Sequence, residues 1–406
     1  MPKKQLGLGG AIAIGLASML GAGVFVVFAS AYKLATEYIF VAIGLAALVA
    51  GLNAWSIYQL ARQVDRPGGV YAYSRVYAND TLSFLSGFAF VFGKISSIAA
   101  IALVFESYVF PSQTFWPATL AIAVLAGINI LGINRTAGVA AILSLITIAF
   151  FVVLIGWAFL VPVAETHTIV DYIGAPIQPI LMAAGVIFFA FAGYARVATL
   201  GNEVQNPKVN IPRAIVISLG AVFLIYLTLA AVLVRDLGTD LTVTKTPVAA
   251  LEQFLTGNGF ITPFVASLAC LGSMLALLAG VSRTMATMAE DRELPKLFER
   301  RNRFGAPWLA ELLIAAGAIC LVAFGGIILV IGFSSFSVLF YYAVGHFASM
   351  KQPKPERVMP VWLNILGIFL CFLISTSFGW QTFAVSFGLL GAAWLVRALW
   401  NKRATR

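Results

Sequence analysis

Ser18-Met-Leu-Gly-Ala-Gly-Val-Phe25 lies in the middle of the first long apolar segment, and its reading decides the rest of the chain. Mid-span glycines serve two purposes. They let helices pack closely, and they let a helix break so that bare N–H and C=O groups face a solute at the bilayer midplane. Broken backbone at that depth is tolerated only where protein or a water-filled cavity surrounds it. Gly21-Ala-Gly23 taken alone fits either purpose. A second interruption, in Phe188-Phe-Ala-Phe-Ala-Gly-Tyr-Ala-Arg196, follows five spans later. Paired interruptions at corresponding places in two halves point to a transporter binding site, and they favour the break.

The surroundings are those of a membrane. Of the 406 residues 61% are hydrophobic, only 10% are charged, and 32 are phenylalanine. A soluble chain carries charge on about a quarter of its residues, so an all-α polytopic membrane protein is predicted. Twelve apolar stretches are long enough to cross the hydrocarbon core, at roughly 8–31, 38–62, 82–110, 115–133, 137–162, 178–200, 211–234, 260–288, 307–326, 328–349, 358–377 and 379–399. The first of them, preceded by Lys3 and Lys4, carries no cleavage signal and reads as a retained span. With the N-terminus inside, twenty-one Lys and Arg fall on the cytoplasmic ends and three (Lys33, Arg235, Lys245) outside. This asymmetry places both termini in the cytoplasm. The net charge of +10 thus follows the lipid bilayer, and no nucleic-acid partner is expected. Cys270, Cys320 and Cys371 all sit within apolar segments, which suggests neither a disulfide framework nor a metal site. No cofactor is expected.

Polar residues inside the spans are the candidates for chemistry. Lys94 lies about twelve residues into span 3, where a lysine costs about 2.5–3.5 kcal/mol, so it faces an interior cavity or a partner. A structural lysine bonded to freed backbone carbonyls is the plain alternative. The stretch from Glu290 to Arg303 is charged and amphipathic, and predicts a short helix along the membrane surface. His167 reads as an outer-loop residue and His346 as lying near a cytoplasmic span end, so neither is expected to relay protons.

Four stretches in register carry a resemblance: Gly21-Ala-Gly-Val-Phe25; Pro67-Gly-Gly-Val-Tyr71; Phe188 to Gly193 with Glu203-Val-Gln-Asn-Pro207 and Ile211-Pro-Arg213; and Ser282-Arg283 with Met288-Ala-Glu-Asp-Arg-Glu-Leu-Pro295. From residue 6 to about 310 the chain resembles the amino acid–polyamine–organocation permeases. The resemblance implies the fold of the bacterial leucine transporter. That is a five-plus-five inverted repeat with helices 1 and 6 broken, here 1–162 and 163–350, followed by two extra C-terminal helices in 351–406. It also implies alternating access and an amino acid substrate. The substrate carboxylate would take the N–H groups of Ala22 and Gly23. Its ammonium would take carbonyls of Met19, Leu20, Phe189 and Ala192 beside Gly193, and Phe191 would match the aromatic residue that closes over substrate.

Departures from the family pattern sharpen the expectation. Many proton-coupled members carry a span 5 lysine where this chain has Thr147, so a hydroxyl pairing with Ser273 or Ser282 around sodium is the alternative to a proton. The positions that match the substrate-contacting Asn and stacking Trp of the arginine–agmatine exchanger are Lys94 and Leu277. A fixed positive charge without a stacking ring opposes a cationic substrate. Lys94 then either titrates as the coupling group or neutralises an acidic substrate. Arg196 is expected to pair with Glu203 or close an inner gate.

The expected function is a secondary active permease for neutral amino acids, a proton symporter or an exchanger, in a bacterial-type plasma (inner) membrane. An acidic-amino-acid carrier using Lys94, or a sodium-coupled one, is the alternative. A channel or a transporter-derived sensor is the reading from another class, although no ring of charges or carbonyl filter supports a pore. Nothing in the aqueous segments resembles an enzyme's catalytic set.

Overall fold

The computed structural model describes residues 6–64, 68–111, 115–131, 136–161, 176–194, 197 and 204–404, and those residues are helical with short connections. Among the described residues seven helices are long and apolar enough to cross a membrane, and five shorter apolar helices accompany them.

The first span is two helices, not one. α1 (Leu8–Met19) stops, Ala22–Phe25 form a single 3-10 turn, and α2 (Val27–Ala35) resumes. α3 (Ile39–Ala61) follows, then the short α4 (Val70–Tyr77) and the long α5 (Asp80–Val109). Asn79 caps α5 by accepting a hydrogen bond from the Leu82 N–H at 2.8 Å, which fixes where it starts. Next come α6 (Trp116–Ile130), α7 (Thr136–Leu160) and α8 (Ile177–Phe191), the last of which also stops short. α9 (Pro207–Leu237), α10 (Pro247–Thr256), α11 (Ile261–Glu290), α12 (Trp308–Phe324), α13 (Ile327–Lys351), α14 (Val361–Ser377) and α15 (Trp380–Ala404) complete the chain.

Burial grades these helices by place. Along α5 and α13 most side chains are buried, whereas α15 is largely exposed to the surroundings. α1 packs on α7 and α9, α2 on α8, and α3 on α8, α9 and α13. α5 packs on α6, α11, α12 and α13, and the 3-10 turn rests against α5, α8 and α11. The interrupted segments therefore sit among α3, α5, α7, α8, α9 and α11.

The expected surface helix over 290–303 is a correction. Arg292 has φ +64° and helix is confined to a 3-10 turn at Lys296–Glu299. Pro295 cannot donate into a helix and opposes helical backbone in the residue before it. The Asn302 side chain accepts from the Phe304 and Ala306 N–H groups, closing a loop instead. At the same end of the molecule Arg75 of α4 and Arg397 of α15 both pair with Glu293, and Tyr71 donates to Asp291 at 2.8 Å.

Candidate functional site

The break in the first span is built from backbone. The Leu20 N–H still closes on the Leu16 carbonyl at 2.8 Å, and then Gly21 turns away at ψ −147°. Ala22 and Gly23 open the 3-10 turn, so their N–H groups have no carbonyl to meet within it. α8 ends in a similar way. The Ala192 N–H bonds to the Phe188 carbonyl at 3.0 Å, and residues 192–194 leave the helix as a turn.

The two interruptions meet. A Cβ added at Gly193 would land on the Ser18 carbonyl and 2.7 Å from the Met19 nitrogen. A Cβ added at Gly23 would sit 2.8 Å from both the Cα and the Cβ of Ala190. Glycine is required here by close approach of backbones. Tyr226 of α9 holds both partners, its hydroxyl 2.6 Å from the Met19 carbonyl and 3.2 Å from that of Ala190. Tyr108 of α5 donates to the Phe25 carbonyl at 2.7 Å. The Ser273 hydroxyl of α11 occupies the space that a Gly21 side chain would need.

Met19, Leu20, Ala22, Gly23, Phe189, Phe191, Ala192, Gly193 and Ser273 are thus brought to one region. The Met19 carbonyl already accepts from Tyr226, leaving one lone pair for a ligand. Phe191 is fully buried, its ring 4.8 Å from that of Tyr226. Leu277 is half-buried one turn beyond Ser273 on α11. Thr147 is buried on α7, which packs against α1 and α11. Ser282 is buried further along α11, near the Ala279 carbonyl (3.2 Å) and the carboxyl group of Glu311. Arg196 and Glu203 lie outside the described residues.

Lys94 is 8% exposed, with its Nζ 5.9 Å from the centre of the Phe90 ring. Its turn of α5 is tied to α13, because the Ser97 and Ser334 hydroxyls are 2.7 Å apart. The neighbouring Ser335 donates to the Gly185 carbonyl of α8 at 2.9 Å. Through α13, the Lys94 turn is therefore linked to the helix that ends at the second break.

Several residues escaped the sequence reading. Tyr226 and Tyr108 are buried tyrosines in apolar helices, and a buried tyrosine hydroxyl needs a partner, which is the signal that could have found them. Glu311, three residues into α12, is 1% exposed and accepts from Asn129 Nδ2 at 2.9 Å. A carboxyl group at the start of an apolar span is itself a functional flag. His346 is fully buried as well. Its Nδ1 lies 3.0 Å from Asn364 Oδ1 and its Nε2 2.9 Å from Asn53 Oδ1. It does lie near the end of α13, as expected, but that end is covered by α3 and by the turn before α14.

Comparison with known proteins agrees with this geometry. A family model described as amino acid permease matches residues 6–394. The chain is 35% identical to an uncharacterized transporter of Mycobacterium tuberculosis, over 99% of this chain and 93% of that one. It is 28% identical to the inner membrane transport protein YbaT of Escherichia coli, covering 73% and 72% of the two chains. It is 24% identical to the cationic amino acid transporter 5 of Arabidopsis thaliana, covering 90% and 68%.

Proposed function

Because the chain belongs to the amino acid permease family, and is an integral membrane transporter and not an enzyme, we propose that it is a proton-coupled secondary carrier of neutral amino acids. The observation that carries this reading is the meeting of two interrupted helices, backbone against backbone, around Gly23 and Gly193. Backbone N–H groups at Ala22 and Gly23 suit a carboxylate. Carbonyls at Leu20, Phe189 and Ala192 suit an ammonium group. The two needs together describe an α-amino acid. Residues 1–162 and 163–350 act as inverted repeats that rock against each other, with 351–406 outside them. The membrane is a plasma membrane, with both termini in the cytoplasm.

Neutral side chains fit what surrounds the breaks. Leu277, Phe189 and Phe191 supply apolar surface. Lys94 adds a positive charge in the same buried core and disfavours cationic substrates. Proton coupling is supported by buried ionisable side chains within the helices, among them Lys94, Glu311 and His346. Such groups are costly in a membrane and mark ion or proton pathways.

Counterflow in proteoliposomes tests the carrier. Preloading with unlabelled neutral amino acid should accelerate labelled uptake, and absence of acceleration for every amino acid would remove the reading. Gly23→Leu should lower uptake to background while the protein still inserts, since its side chain enters the space against Ala190. Lys94→Met should admit arginine, with apparent affinity improved at least about tenfold, the equivalent of ~1.4 kcal/mol of relieved repulsion. Its pH profile should stay that of the wild type. A flattened profile would assign the proton to Lys94 instead.

A further inference from the structure

α3, α13 and α14 enclose a seam of buried polar side chains in an otherwise apolar interior. At the end bearing Lys351, Gln59 Nε2 donates to Ser349 Oγ at 2.8 Å and to Gln352 Oε1 at 2.7 Å. Gln59 Oε1 accepts from the N–H groups of Val358 and Met359. One turn deeper, His346 lies between Asn53 and Asn364. Ser56 falls between Asn53 and Gln59 on α3, at helical spacing that turns it toward the same neighbour. Beyond Asn53 stands Tyr194, the residue after Gly193, stacked on Tyr342 of α13 with ring centroids 5.4 Å apart. The seam thus runs from one end of α13 to the second break.

Two features set it apart from ordinary buried polarity. Eight buried side-chain atoms among the described residues have no hydrogen-bond partner, and four of them lie here: Asn53 Nδ2, Ser56 Oγ, Tyr194 Oη and Gln352 Nε2. Buried polar atoms are ordinarily paired, and a cluster of unpaired ones calls for a functional explanation. The second feature is a cradle for the imidazole. Gly367 of α14 lies flat against the His346 ring, and any Cβ there would overlap Nε2.

The pairing at His346 has two self-consistent forms. In this structure both ring nitrogens face carboxamide oxygens, which suits an imidazolium donating from both, and Asn53 Nδ2 and Tyr194 Oη are left over. Tyr194 Oη lies between the Tyr342 hydroxyl and the Asn53 carboxamide without closing a hydrogen bond to either. Turning that carboxamide over keeps its shape. Its Nδ2 then donates to a neutral Nε2, its Oδ1 accepts from the Tyr194 hydroxyl, and Nδ1–H still donates to Asn364. One proton, taken from water onto Nε2, separates the two forms. Its arrival reverses Asn53 and releases Tyr194 beside the break.

We propose that His346 is the proton-binding side chain of this carrier, reached along the Gln59–Ser56–Asn53 seam and linked to the second break through Asn53 and Tyr194. The inference rests on the reading of the chain as a carrier. Cys371, whose Sγ is 3.4 Å from Asn53 Oδ1, Tyr194 and Tyr342 are the titratable groups that meet the cluster. α3 adds Tyr58 and no charge, and α8 adds no titratable group. Charged side chains on the other helices packed against α13 include Asp80, Lys94 and Glu106 on α5, Arg75 on α4 and Arg397 on α15, besides Lys351 at its own end. α4 also carries tyrosines 71, 73 and 77. Arg75 and Arg397 are paired with Glu293.

The chain has two histidines, so His167→Gln protein labelled with ¹⁵N-histidine reports on His346 alone. In nanodiscs its ring signals should move between the neutral and doubly protonated positions as pH falls from 9 to 5. A single neutral tautomer over that whole range would overturn the proposal. In proteoliposomes His346→Gln should keep counterflow of the amino acid that the wild type exchanges. It should lose at least about tenfold of the acceleration that an acid-outside gradient gives. Unchanged acceleration would overturn the proposal. Wild-type protein without counterflow would instead defeat the carrier reading, and the nuclear magnetic resonance titration would still decide for His346 if His346→Gln failed to fold.

Discussion

Alanine at Gly193 is expected to reduce transport about 100-fold or more, although it adds a single methyl group. That methyl would lie on the Ser18 carbonyl and within 2.7 Å of the Met19 nitrogen, so the atoms in its way are backbone. A flexible side chain could swing aside; this backbone is already fixed by Tyr226 on the Met19 carbonyl. Overpacking costs about 1–3 kcal/mol in ordinary cores, and the upper end applies where nothing can yield, which corresponds to roughly two decades. The two interrupted segments must separate, and the groups that would flank a zwitterion no longer face each other. Radiolabelled uptake with purified Gly193→Ala protein, normalised to the folded fraction, is the measurement. Uptake within about threefold of the wild type would mean that the two breaks do not work as a unit.

Both interruptions were legible in the sequence because the glycines of the first and sixth spans stand at corresponding places in two halves of the chain, and that pairing favours a break over ordinary packing. Their contact was not legible. Nothing in Ser18 or Ala190 announces that Gly193 or Gly23 will lie against it, because backbone proximity has no residue code. The same limit hid Tyr226, the one tyrosine of a 31-residue helix, whose importance comes from the two carbonyls it reaches. His346 does stand near the end of α13, as read, but its burial was not legible. Distance from a helix end measures depth only when that end is open, and here Gln59, Ser349 and Gln352 cover it. The surface helix expected over 290–303 failed because its charge pattern outweighed Pro295 in the reading, whereas in the fold the backbone restriction wins.

Gly21 offers the counterpart to Gly193, since its obstacle can be removed. Its φ is −76°, so alanine is not barred by a left-handed conformation. What bars it is the Ser273 hydroxyl; the next nearest atoms, Ser273 Cβ at 3.5 Å and the Ala17 carbonyl at 3.9 Å, are at ordinary contact distance. Gly21→Ala alone is therefore expected to reduce uptake about tenfold or more. Adding Ser273→Ala takes away the one obstructing oxygen, and the double variant should return to within about threefold of Ser273→Ala alone. The coupling between the two sites would then be of order 1–2 kcal/mol, the range for residues in direct contact. If Ser273→Ala does not rescue Gly21→Ala, the glycine serves the substrate rather than α11, and the added methyl blocks the ligand itself. Rescue would instead fix α11 as the support against which the first break is held open. Gly193→Ala should resist every such second substitution, because deleting a side chain cannot move the carbonyl of Ser18.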